Sequence, residues 1–222
     1  MPQQLVIFDL DGTLIDSRAD LTTAVNLMRR GYGLGPLSLA TVTAFVGNGV
    51  HKLTERALRD AEAKVDLKTA VDRVRAYYST HMLEHTTLYP GTIQALQGLR
   101  TKGCTMALVT NKPQAPAETI CRHLGIARFL TIILGGDACT QLKPHPDPLL
   151  QAMRSVGAAP SESWMVGDND TDLAAGRNAG TRRCFCRYGF GKLNGETYDL
   201  AVDSLDEFVA YLDNHPDPDI PD

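Results

Sequence analysis

The sequence predicts an α/β fold, a doubly wound parallel sheet with an all-helical insertion after its first strand. Three observations carry that expectation. Short β-branched runs alternate with helical patterns through most of the chain. Those runs are almost continuously apolar, as strands buried on both faces are, rather than alternating. One long interval holds helical patterns and no strand.

Strands are expected at 5–10 (LVIFDL), 105–110 (TMALVT), 130–134 (LTIIL), 164–167 (WMVG) and 183–186 (RCFC). Helices are expected between them at 92–102, 115–124, 147–156 and 172–179. Each is followed by a glycine (Gly103, Gly125, Gly157, Gly180) suited to the left-handed residue that ends a helix. The strand-free interval shows helical patterns at 17–30, 38–46, 50–63 and 67–84, joined by GYGLGP and VGNG, and it returns through a Pro90-Gly91 turn. Both stems then meet beyond the carboxyl end of the first strand, where open α/β sheets place their sites, so the insertion reads as a lid. The expected organisation is a discontinuous core domain, 1–16 and 88–214, a helical cap domain, 17–87, and a frayed Pro- and Asp-rich tail, 215–222.

A chain of 222 residues is long enough for one core with an insertion, and 43% hydrophobic against 22% charged residues excludes wholesale disorder. Lys plus Arg number 22 and Asp plus Glu 26, with no basic block, which argues against a nucleic-acid partner. The opening MPQQLVIFDLDGT resembles no targeting segment, and no apolar run is long enough to span a bilayer. A cytoplasmic protein, monomeric or homodimeric and with no membrane contact, is expected. Cys104, Cys121, Cys139, Cys184 and Cys186 contain no C-x-x-C pair and read as reduced thiols.

Chemistry gathers at the strand ends. The first strand runs into Asp9-Leu10-Asp11-Gly12-Thr13, where two carboxylates two residues apart share a side and Gly12 allows a tight turn with its amides turned to an anion. Another strand ends in Gly167-Asp168-Asn169-Asp170-Thr171-Asp172. Asp9 and Asp168 from adjacent strands would satisfy Mg²⁺, a hard cation needing one or two carboxylates, while Asp170 reads as a helix-capping acid. Thr110-Asn111 offers a hydroxyl and an amide to a phosphoryl oxygen. Lys143, stiffened by the prolines of Lys143-Pro144-His145-Pro146, offers a held ammonium.

Together these four segments resemble the haloacid dehalogenase superfamily, whose motifs they match in order, spacing and strand context: D-x-D-G-T, the Thr110-Asn111 strand end, the lysine and its proline run, and G-D-x-x-x-D. Further stretches (Phe45 to Val50, Leu88 to Gly91, Leu108 to Pro113, Leu134 to Asp137) look like those of the bacterial phosphoglycolate phosphatases within it. His145 and Asn169 depart from the residues common there.

The resemblance implies a Rossmann-like core, Mg²⁺ as cofactor and a small phosphorylated metabolite, 2-phosphoglycolate, as substrate. Asp9 would attack phosphorus and carry an aspartyl-phosphate, and Asp11 would serve as acid and then base. Thr110, Asn111, Lys143 and Thr13 would position the phosphoryl group, and Asp9, the backbone carbonyl of Asp11 and Asp168 would hold the metal, with Asp172 supporting them from behind. The Gly47-Asn48-Gly49 turn, with Lys52 nearby, would take the substrate's carboxylate in the cap. A broader sugar- or nucleotide-phosphate phosphatase stays open. So do a phosphomutase of the β-phosphoglucomutase type, a phosphonate hydrolase using Lys52 or Lys64, and a silent binding module on the same fold.

Overall fold

A computed structural model of the chain describes residues 4–61 and 65–215; Lys64 and residues 216–222 of the expected tail lie outside them. Its centre is β1 (Leu5–Phe8), four apolar residues with no solvent exposure. Parallel hydrogen bonding joins β1 to β4 (Thr105–Val109) on one side and to β6 (Ser163–Gly167) on the other, with Phe8 level with Leu108 and Val166. The sheet extends through β5 (Ile132–Leu134) at one edge and β7 (Arg182–Cys186) and β8 (Leu200–Val202) at the other, in the order β5-β4-β1-β6-β7-β8, every pairing parallel.

Successive strand residues point to opposite faces, and each face is covered by helices. Val6, Phe8, Leu108 and Trp164 pack with Leu96 and Leu99 of α5 (Thr92–Thr101), Ile120 of α6 (Gln114–His123) and Phe208 of α9 (Leu205–Asn214). Leu5, Ile7, Val109 and Met165 pack with Leu149 and Met153 of α7 (Asp147–Val156) and Ala175 of α8 (Asp170–Ala179). The glycines expected after α5, α6, α7 and α8 all have φ between 71° and 79°.

Between β2 (Ile15–Asp16) and β3 (Thr87–Leu88) the regular structure is helical: α1 (Arg18–Arg30), α2 (Leu39–Thr43), α3 (Gly49–Ala57) and α4 (Leu67–His81). The two short strands pair antiparallel, Ile15 with Leu88, so the chain leaves and re-enters side by side beyond the end of β1. Two buried charges tie this region together. The Arg29 guanidinium donates to Asp60 at 2.7 Å and to the carbonyls of Gly35 and Ala57. Asp20, wholly buried in α1, accepts from the His85 and Thr86 amides, the Thr86 hydroxyl at 2.7 Å and the His85 ring.

The expected helices at 38–46, 50–63 and 67–84 are shorter in the structure, and β2, β3, β8 and α9 were not anticipated. Two or three residues carry too little periodicity to reveal a strand. α9 did carry a signal: Ser204 accepts from the Glu207 amide while Glu207 accepts from the Asp203 amide, a reciprocal cap ahead of apolar residues at helical spacing. Among the described residues no helix is long and apolar enough to cross a membrane. All five cysteines are free.

Candidate active site

Three parallel strands end at one level, and each delivers a polar group there. Asp9 follows β1, Thr110 and Asn111 follow β4, and Asp168 follows β6. Past Asp9 the chain turns sharply at Gly12, whose φ is +92° and where a Cβ would come 2.0 Å from an Asp168 carboxylate oxygen. Only glycine combines that backbone with that close approach.

Lys143 reaches in from the segment before α7. Its ammonium, with 1% of the side chain exposed, donates to Asp9 Oδ1 at 2.7 Å and to the Val109 carbonyl at 2.6 Å, and pairs with Asp172 Oδ1 at 2.8 Å. The other Asp172 oxygen accepts from the Asn169 amide at 3.0 Å, so this carboxylate both begins α8 and faces the site. Asp168 is held by the amides of Phe190 at 2.9 Å and Gly191 at 2.7 Å.

Electrostatically the site is short of positive charge. Ligand oxygens of Asp9, Asp168 and Asp172 lie within 4.8 Å of one another, and Lys143 is the one cation paired directly with that group among the described residues. Burial, then repulsion from Asp172 and Asp9, holds the Asp168 carboxyl well above the ordinary carboxylate range. Burial likewise pushes Asp172 up to about 7 against the pull of Lys143. Burial disfavours the Lys143 ammonium, but Asp172 and Asp9 outweigh it and raise its pKa. An oxygen-only cluster carrying excess negative charge fits a hard divalent cation.

Above the strand ends lies a cavity of about 310 Å³. Asp9, Asp11, Thr110, Lys112 and Asp172 line it from the sheet side. Leu21, Val50, Leu53, Val74 and Tyr78 line it from the helices between β2 and β3. The two sides touch directly: the Asn111 carboxamide donates to the Gly47 carbonyl at 2.9 Å, and a Cβ on Gly47 would meet the Asn169 carboxamide at 2.6 Å.

A family profile described as haloacid dehalogenase-like hydrolase matches residues 6–186, the stretch that contains every strand-end group above. The chain belongs to the haloacid dehalogenase-like hydrolases. A curated relative from Chromobacterium violaceum, named phosphoglycolate phosphatase, is 37% identical over 213 residues, covering 94% of this chain and 96% of its own. One from Aquifex aeolicus with the same name is 32% identical over 96% of this chain and 98% of its own. A crystal structure from Haemophilus somnus, described as a predicted phosphoglycolate phosphatase, superposes with a TM-score of 0.88 at 29% identity, covering 94% of this chain and 97% of that one.

Within this haloacid dehalogenase-like hydrolase the residues singled out from sequence separate into two groups. Asp9, Lys143, Asp168 and Asp172 converge, and Thr110 stands beside them with its hydroxyl accepting from the Lys112 amide at 3.2 Å. Asp11 lines the cavity, but its carboxylate is turned away from the acidic trio, toward Lys112 and the Ser17 hydroxyl. Asn111 has a different occupation from the expected one: its carboxamide donates to the Lys143 carbonyl at 2.9 Å and accepts from the Lys143 amide at 2.9 Å, fixing the lysine's loop. Thr13 is fully buried, off the cavity wall, with an unpartnered hydroxyl.

Asn48 and Lys52, expected to receive a carboxylate, do not line the cavity. The Asn48 oxygen is taken by the Arg56 guanidinium at 2.7 Å, and Lys52, with 57% of its side chain exposed, pairs with Glu55 at 2.7 Å. A helix face turned to water, not the nearness of Gly47, decides where Lys52 points. Conversely, sequence reasoning gave Lys112 no role, though a lysine directly after a buried strand end must either snorkel out or find a buried anion. It finds Asp11.

Proposed function

We propose that the chain is a divalent-cation-dependent phosphomonoester hydrolase that works through an aspartyl-phosphate on Asp9, with 2-phosphoglycolate as its substrate. The observation that carries this reading is a buried carboxylate, Asp9, on the floor of a cavity between a held ammonium and two further acids. The names and near full-length coverage of the relatives support the substrate.

Asp9 attacks phosphorus, the bond to the ester oxygen breaks, and the departing alkoxide takes a proton from Asp11. Water then attacks the phosphorus of the aspartyl-phosphate, Asp11 accepts the water's proton, the P–O bond to Asp9 breaks, and the Asp9 carboxylate is regenerated as inorganic phosphate departs. For this, the Asp11 carboxyl must rotate away from Lys112 toward the leaving oxygen. Lys143 holds Asp9 in place and offsets the charge of an arriving phosphate; Thr110 offers its hydroxyl to a phosphoryl oxygen. Asp9, Asp168 and Asp172 would hold Mg²⁺, which supplies charge neutralisation at the phosphoryl oxygens when bound. The helices over the cavity exclude water from the intermediate.

A broader ester range is the second reading, favoured by the apolar wall of Leu21, Val50, Leu53 and Val74, which a two-carbon leaving group does not need. The test is phosphate release with Mg²⁺ from 2-phosphoglycolate, β-glucose 1-phosphate and a nucleoside monophosphate, with Asp9→Asn as control. A kcat/KM for 2-phosphoglycolate about tenfold above the others, or about 1.4 kcal/mol of transition-state discrimination, is expected, with turnover lost in the variant. A flat profile retains the phosphatase and discards this substrate; no release from any ester discards both.

A further inference from the structure

One wall of the cavity holds a buried lysine and a buried tyrosine that the hydrolytic steps leave unexplained. Lys112 lies beyond β4 with 4% of its side chain exposed, and its ammonium donates to both oxygens of Asp11, at 2.5 and 2.7 Å. The same ammonium sits over the ring of Tyr78, 4.8 Å from its centroid. Tyr78 comes from α4, is 6% exposed, lines the cavity and has a buried hydroxyl that interacts with the Lys112 ammonium but whose own O–H finds no acceptor. Burial pushes that phenol up to about 12 against the pull of Lys112, so it keeps its proton and stands as an O–H donor. A buried donor left unmatched costs about 1–3 kcal/mol, and of the four such side-chain groups among the described residues Tyr78 is the one on the cavity wall.

We propose that Lys112 and Tyr78 form the subsite for the substrate's carboxylate, which Asp11 occupies until the substrate arrives. The proposal rests on the phosphatase reading and deepens it. Asp11 cannot serve the leaving oxygen while it is bound to Lys112, and its departure alone would strand a buried ammonium. A carboxylate on the leaving group resolves both difficulties. One of its oxygens takes over the Lys112 ammonium, the other accepts from the Tyr78 hydroxyl, and Asp11 is released toward the ester oxygen of the same molecule. A neutral alcohol at that position offers Lys112 no counter-charge and leaves Asp11 where it is. Selection for an acidic leaving group is then expressed in turnover as well as in binding. Arg75 is the other cation on the cavity wall, but half its side chain is in solvent and it lies 4.0 Å from Asp72, which makes it the weaker anchor.

The test compares 2-phosphoglycolate with 2-hydroxyethyl phosphate, its neutral counterpart, using the full chain with Mg²⁺. Lys112→Met is expected to shrink the kcat/KM ratio between the two esters by about tenfold or more, because a site built around a buried polar pair loses its discrimination when one member goes. Tyr78→Phe, which removes only the hydroxyl and keeps the ring, is expected to shrink it by about threefold or more, and Arg75→Gln by less than about twofold. Calorimetry with 3-phosphonopropionate and propylphosphonate, which are not hydrolysed, gives a second readout: the wild type prefers the former, and that preference collapses in Lys112→Met. Unchanged ratios in both Lys112→Met and Tyr78→Phe, or a collapse confined to Arg75→Gln, overturn the subsite. If Lys112→Met does not fold, Tyr78→Phe decides. A wild type that hydrolyses neither ester overturns the phosphatase reading, and the phosphonate pair then decides the subsite alone.

Discussion

Lys143 and Asp172 lie 2.8 Å apart with 1% of each side chain in solvent, an ion pair sealed between the ends of β1 and β6. Because Asp9 shares the same ammonium, one cation serves two buried carboxylates that lie far apart in the sequence.

Replacing Lys143 with methionine removes that cation and keeps most of the volume. Asp9 and Asp172 are then buried without a counter-charge, a loss of about 3–5 kcal/mol by analogy with broken buried pairs. The apparent melting temperature should fall by several degrees and recover in part with millimolar Mg²⁺. Scanning calorimetry with and without the cation checks both; a variant as stable as the wild type in chelator would contradict the shared-cation account.

Asp168 gives a prediction with a sign. Its folded pKa is raised above the unfolded value, so its ionisation opposes folding: the metal-free protein should lose stability as pH rises toward and through the folded pKa. Asp168→Asn abolishes that ionisation. The variant should melt higher than the wild type in chelator at neutral pH and gain less on adding Mg²⁺, while phosphate release is lost. Parallel melts at pH 5 and 8 test this, and an Asn variant that melts lower than the wild type at pH 8 in chelator would refute it.

Asp20 joins α1 to the second crossing by accepting from His85 and Thr86. Asp20→Ala leaves two backbone amides without their acceptor at the point where the helical segment rejoins the sheet, at a cost of about 2–4 kcal/mol. Amide exchange at His85 and Thr86 should accelerate well before exchange in β1. Equal acceleration in both would mean that Asp20 supports global stability and not the local junction at His85 and Thr86.

How much of this could be read beforehand varied with the physics of each residue. β1, β4 and β6 were legible because their short runs are almost wholly apolar, and α7, which runs over the residues expected of it, because its apolar residues recur at helical spacing ahead of Gly157. The acidic strand ends were legible because chemistry restricts which residues can stand there. Lys112 was not, since a lysine is ordinarily solvated and only the approach of Asp11 and Tyr78 from other elements makes it a buried group. Asn48 and Lys52 were misplaced for the converse reason: sequence nearness to Gly47 says nothing about which side of α3 meets the cavity. Asn111 was read as a ligand because its loop's own demand for hydrogen bonds is invisible without Lys143 beside it.

The position of β1 has a consequence for biosynthesis. Leu5 pairs in register with Thr105 and Ser163, so β1 has both its neighbours only once β6 has been synthesised. Pairings this distant in sequence slow folding. Until they form, LVIF is an uncovered apolar edge in the nascent chain, while α1 to α4 are synthesised next and can find one another locally. The strand that leads into Asp9 is therefore also a segment whose apolar residues need protection from aggregation until β4 and β6 have been made.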